Sequence, residues 1–164
     1  MAGVTTERIL ADKVLQKTCG QECVDWAIRM LEEGYDGECL SRLWGMVPPF
    51  NHFEIASLRD HALAELGIHE IAPSVALSRY ATEILSTGLS GEIELVDAIS
   101  IVKDLCLAND YQDDLFDFYE LYFAYADLEE EDFSYYCRGA TRESILEIIR
   151  ERAHAFVRGQ PPNG

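Results

Sequence analysis

Lysine and arginine are scarce in this chain: 13 stand against 30 aspartates and glutamates in 164 residues, for a formal net charge of −17. Between Asp104 and Cys137 there is neither. Affinity for nucleic acid rests on cations that neutralise phosphates, so a chain this poor in them repels a phosphate backbone, and an anionic membrane surface as well. Long apolar runs are also missing, and none approaches the ~20 residues a membrane helix needs. Cysteine is sparse and odd in number: Cys19, Cys23, Cys39, Cys106 and Cys137 have no spacing of a disulfide framework. A reducing cytoplasm and free thiols are therefore expected. Residues 1–7 contain neither a positive region nor an apolar stretch, so no secretory leader is expected.

The motifs of chemistry are absent too. There is no nucleophile elbow, no phosphate-binding loop and no dinucleotide fingerprint. Cys19 and Cys23 lack the spacing and the second pair of a zinc site. The run Asp110, Asp113, Asp114 is not a calcium loop, which needs ligands at alternate positions around a central glycine. His52, His61 and His69 form no paired-histidine motif. No metal, cofactor or catalytic residue is expected. A carboxylate pair could do acid–base work, but with thirty acidic residues such a pair has no specificity.

What is present is helical periodicity almost throughout, with no period-two alternation and no Asn-Gly hairpin turn. Helices are predicted over about 6–17, 21–33, 37–46, 51–66, 73–88, 90–106 and 109–131, with a last one after Gly139-Ala140-Thr141. The clearest start is Asn51, with Glu54 three residues on and Phe50 placed to pack on Ile55. Pro73 suits a first turn, Ser90 reads as a cap, and Gly34, Gly67 and Gly88 read as stops. Trp26 and Trp44 occupy positions compatible with a core. The class expected is all-α: a single domain over 1–158 of about seven or eight helices, as an irregular bundle or short superhelical stack, with a flexible tail over 159–164.

The charge is uneven. Residues 1–103, 104–137 and 138–164 sum to −8, −11 and +2. The middle stretch also holds ten of the seventeen aromatic residues, too many for a disordered acidic run. At 3.6 residues per turn Asp113, Asp117, Glu120, Asp127 and Glu131 share one narrow stripe with Ala124. Phe116 and Phe123 flank it on one side, Leu121 and Leu128 on the other. Leu115, Phe118, Tyr119, Tyr122 and Ala126 are left for the core. Two readings stay open: a central helix whose polar stripe meets solvent, or a partner-binding face. The run Glu129, Glu130, Glu131, Asp132 with Phe133, Tyr135 and Tyr136 is a second candidate. Carboxylate beside tyrosine suits an incoming arginine or lysine, while Arg138, Arg142, Arg150 and Arg152 downstream could pair internally.

The segment Leu31-Glu32-x-Gly34-Tyr35-Asp36 with Leu40, Leu43 and Gly45, then Asn51-x-Phe53-Glu54-Ile55 and Ala62-Leu63-x-Glu65-Leu66-Gly67, resembles small all-helical bacterial proteins of uncharacterised function. Some of these are candidate immunity proteins. The resemblance covers about residues 24–67 and implies a helical, non-enzymatic protein. Together with the acidic-aromatic stretch it leads to an expected function: a cytoplasmic protein-binding module, an immunity protein that masks the active site of a basic toxin domain. The alternatives are an acidic adaptor or regulator of a housekeeping protein, or an orphan carboxylate enzyme. The residues expected to meet a basic partner are Asp113, Phe116, Asp117, Glu120, Phe123, Asp127, Glu129, Glu130, Glu131, Asp132, Tyr135 and Tyr136.

Overall fold

The computed structural model describes residues 3–159, which form eight α-helices and one short 3-10 turn with no strand. The chain is all-α, as its periodicity predicts. Of the expected tail, only Gly159 lies within the described residues. No helix among those residues is long and apolar enough to cross a membrane. The helices gather into two compact units that divide between Ala76 and Leu77.

The first unit contains α1 (Thr6–Val14), α2 (Gln21–Glu32), α3 (Glu38–Trp44) and α4 (His52–Glu65). Local chemistry sets most of its helix ends. The Thr5 hydroxyl accepts from the Arg8 amide at 3.1 Å, and Asn51 Oδ1 accepts from the amides of Phe53 and Glu54, both at 3.1 Å. These contacts satisfy donors that a helix start leaves orphaned. Gly34 and Gly67 take positive φ beyond α2 and α4, as expected of them. The start of α3 is different, because Gly37 has no side chain to cap it. Glu65 from α4 supplies the acceptor instead, 3.2 Å from the Cys39 amide. A Cβ on Gly37 would stand 2.5 Å from that carboxylate, so the missing side chain makes room for a cap that comes from another helix.

Ile9, Trp26, Leu40, Leu43 and Ile55 fill the centre of this unit. Trp26 is fully buried and its indole N–H donates to the Thr6 hydroxyl at 3.0 Å. Trp44 departs from the core role expected of it. It closes α3 with 61% of its surface exposed, because Leu40 and Leu43 already occupy the inner face of this seven-residue helix.

The cysteines also depart from the free thiols expected of them. Cys19 and Cys23 are joined in a disulfide, leaving Cys39, Cys106 and Cys137 free. Gly20 and the first turn of α2 bring the two sulfurs together across four residues, a closure that a framework pattern does not reveal. With this bridge present, the cysteine pattern no longer argues for a reducing compartment. Thiol titration of the denatured, unreduced protein should find three reactive thiols; five would remove the bridge.

The second unit contains most of α5 (Pro73–Leu89), then α6 (Leu95–Ala108), α7 (Phe116–Glu130) and α8 (Ile145–Val157). Two helix ends differ from expectation here. Gly88 does not stop α5, which runs on to Leu89; the positive φ belongs to Gly91. Gly88 is a packing residue instead, since a Cβ there would meet the Cβ of Ala98 at 2.7 Å, and this lets α5 and α6 approach closely. Ser90 does not cap α6 either. Its hydroxyl donates back to the Thr87 carbonyl at 2.9 Å, and α6 begins five residues later, at Leu95. α6 packs along α7, and α7 meets α8.

Candidate protein-binding face

The approach to α7 is a tight reversal. Asp110 and Tyr111 both adopt positive φ, 52° and 58°, a conformation costly for residues other than glycine. A polar knot holds it in place. Buried Gln112 donates to Ser78 Oγ at 2.9 Å and to Asp114 Oδ1 at 2.7 Å, and accepts from Asn109 at 2.8 Å. The Ser78 hydroxyl also donates to Asp114. A 3-10 turn, Asp113–Leu115, then leads into the helix, with Tyr111 left half in solvent beside it.

On α7 the buried side chains are Phe118, Leu121, Ala124 and Leu128, with Leu115 just before them. The helix is thus rotated from the sequence-based expectation. Leu121 and Leu128, read as flanks, lie in the core, while Ala126, read as core, is exposed. The acidic stripe is not a free solvent face, because Ala124 at its centre is fully buried. Asp117, Glu120 and Asp127 are half-buried. Asp117 is committed to the fold: Arg152 of α8 places one guanidinium nitrogen 3.0 and 3.1 Å from its two oxygens. Asp127 accepts from the buried Ser134 hydroxyl at 2.8 Å. These two carboxylates join α7 to the chain that follows it, a role their spacing does not disclose.

Along the outer side runs a row of rings, exposed at Phe116 and half-buried at Tyr119 and Phe123. Phe116, Tyr119 and Phe123 follow the i, i+3, i+7 spacing of one helix face. Phe116 stacks on Tyr119 at 5.3 Å, and Tyr119 meets Phe123 edge-on at 4.9 Å. Tyr111 extends the row at one end, 5.6 Å from Tyr119, and Tyr136 at the other, 5.6 Å from Phe123. Burial among these rings, with Tyr111 and Tyr136 adding to it, pushes the Tyr119 hydroxyl above its ordinary range. The row already holds one cation from the same unit. The Lys103 ammonium lies 4.2 Å over the Tyr122 ring, within cation–π range, and 5.9 Å from that of Phe123.

Beyond α7 the segment 131–144 turns over on a few contacts. Ser134, bonded to Asp127, also accepts from the Tyr136 amide at 3.1 Å. Arg142 donates to the Leu128 carbonyl at 2.6 Å and pairs with Asp132 at 3.1 Å. With Ser134 pointing inward, Phe133, Tyr135 and Tyr136 are exposed, Tyr135 by 80%, and Phe133 and Tyr135 meet edge-on at 5.1 Å. Glu129, Glu130 and Glu131 are exposed as well. Glu129 accepts from Tyr125, which is the main reason that the tyrosine hydroxyl is held above its usual range. No lysine or arginine among the described residues pairs with Glu129, Glu130 or Glu131.

Of the residues expected to face a partner, the structure brings Phe116, Phe123 and Tyr136 into one row. It leaves Asp113 and residues 129–132 exposed and places Tyr135 on the adjoining turn. Tyr119, read as core, joins this face half-buried, together with Tyr111 and Lys103; the i, i+3, i+7 spacing of the rings was the available signal for Tyr119. The three free thiols are all pushed above the ordinary value, burial being the first cause at each, so none has the lowered pKa of a nucleophilic cysteine. No cluster of three or more metal-ligating side chains occurs among the described residues. Comparison with known protein families, curated proteins and solved structures finds no match to the chain.

Proposed function

We infer that the chain is an acidic protein-binding module which presents the ring row of α7 and the segment 129–136 to a basic protein, acting as an immunity protein that covers the active-site cleft of a toxin domain. One observation carries this reading: exposed rings adjoin a run of carboxylates, three of which have no basic residue beside them. Carboxylates left without cations gain from an incoming arginine or lysine, and rings such as Phe116 and Tyr135 are the residue type that anchors interfaces. The contact of Lys103 with Tyr122 illustrates the recognition chemistry on this surface. The resemblance of residues 24–67 to helical bacterial proteins, some of them candidate immunity proteins, directs the reading towards a toxin. Binding, rather than catalysis, is the role proposed.

Charge supplies association rate and buried rings supply residence time, so the two can be separated. With the partner captured at low ionic strength and purified, the triple change Glu129→Lys, Glu130→Lys, Glu131→Lys should slow association and flatten its salt dependence. Tyr135→Ala should mainly speed dissociation, by about 1–3 kcal/mol. These side chains are exposed and the triple change removes one surface hydrogen bond, Tyr125 to Glu129, so circular dichroism should not change. Unchanged rate constants for both variants would overturn the assignment of this face. A partner that is a housekeeping protein, bound by the same face, would make the chain an adaptor.

A further inference from the structure

The first unit contains a cavity of about 600 Å3, bounded by α1, α4 and residues 68–73. That volume is typical of small-molecule sites. Its apolar wall is made by Leu10, Val14, Leu63, Ile68 and Ile71, all of them in or packed against the hydrophobic core. The opening carries charge. Lys13, with only 26% of its side chain exposed, places its ammonium 3.4 Å from Asp60 and 3.8 Å from Glu70. Both distances exceed an ordinary N–H···O hydrogen bond, so the ammonium retains donors for a closer acceptor. Asp60 is separately engaged by Arg59 Nε at 2.9 Å, whereas Glu70 is 89% exposed and has Lys13 as its cation.

We propose that this cavity binds a zwitterion with an apolar body, of the class of large hydrophobic α-amino acids. The cavity lining holds one cation, Lys13, beside two carboxylates, Asp60 and Glu70, so it offers partners of both signs, and the net charge of −17 disfavours a plain anion. A zwitterion meets both signs at once. Its carboxylate takes the unused donors of Lys13, its ammonium goes to Glu70, and its side chain enters between Leu10, Val14 and Ile71. This site lies in the first unit and does not depend on the ring row of the second.

The test is a titration of the full, isotopically labelled chain with three probes that share one ring: L-phenylalanine, phenethylamine, which lacks the carboxylate, and 3-phenylpropionate, which lacks the ammonium. L-phenylalanine should move amide resonances of residues 10–16 and 60–71 saturably, with each single-charge probe at least about tenfold weaker, the value of one charged hydrogen bond. Lys13→Met should cost L-phenylalanine about the same factor, while phenethylamine binds as well or better because its competitor for Glu70 is gone. Ala64→Trp, which places an indole on the cavity wall, should abolish binding of all three. No saturable shift at these residues, or equal binding of the amine and the zwitterion, would overturn the proposal. Circular dichroism of both variants separates loss of the site from loss of the fold.

Discussion

Trp26→Ala should lower the stability of the protein by about 3–5 kcal/mol, among the largest effects any single substitution will have. The indole is fully buried at the centre of the first unit, and its N–H donates to Thr6 while the Thr6 hydroxyl points to the Met30 sulfur at 3.7 Å. Truncation removes the apolar area, opens a cavity among Leu40, Leu43 and Ile55, and strips Thr6 of a donor. Trp26→Phe separates these contributions. It keeps most of the packing and loses the hydrogen bond, so its cost should be about 1–2 kcal/mol. Urea unfolding followed by circular dichroism measures both. In a Trp44→Phe background the remaining Trp26 should fluoresce as a buried indole shielded from acrylamide. A loss under 1 kcal/mol for Trp26→Ala would mean that the first unit is not organised around this ring.

Phe118→Ala should have a comparable effect in the second unit, about 3–5 kcal/mol. Phe118 is buried on α7 and meets Phe156 of α8 edge-on at 5.4 Å, on a surface that Arg152 also crosses to reach Asp117. A double-mutant cycle with Phe156→Ala should return a coupling of about 0.5–1.5 kcal/mol beyond burial, the value of an edge-to-face ring pair. Phe116→Ala, one turn edge away and exposed, is the control. It should change stability by no more than about 1 kcal/mol. If Phe116 proved the more costly of the two, α7 would be rotated from the orientation described and the ring row would be core rather than surface.

That orientation is where sequence and structure part. The helical class, the Asn51 cap and the positive-φ glycines 34 and 67 were legible, because each rests on the chemistry of a few neighbouring residues. α7 was not, since it is apolar or aromatic nearly all round and its periodicity names no single inner face. Leu121 and Leu128 could be flank or core with equal local cost. The choice fell to Arg152 and Ser134, which lie 35 and 7 residues beyond their carboxylate partners Asp117 and Asp127. The Cys19–Cys23 bridge was not legible for a similar reason: it depends on the turn at Gly20 rather than on a pattern of many cysteines.

By itself, then, the sequence determined that the protein is helical, strongly acidic, and richest in rings where it has no cations. These are properties of composition and local spacing, and no packing can alter them. Tertiary structure decided which rings are seen. It buried Phe118 and exposed Tyr135, turned Asp117 and Asp127 inward as ties, and left Glu129, Glu130 and Glu131 without basic neighbours. It also assembled the cavity around Lys13, whose partners Asp60 and Glu70 come from other parts of the first unit. An ionic group's role is set by what stands within a few ångströms of it, and for residues dozens of positions apart only the folded chain sets that distance.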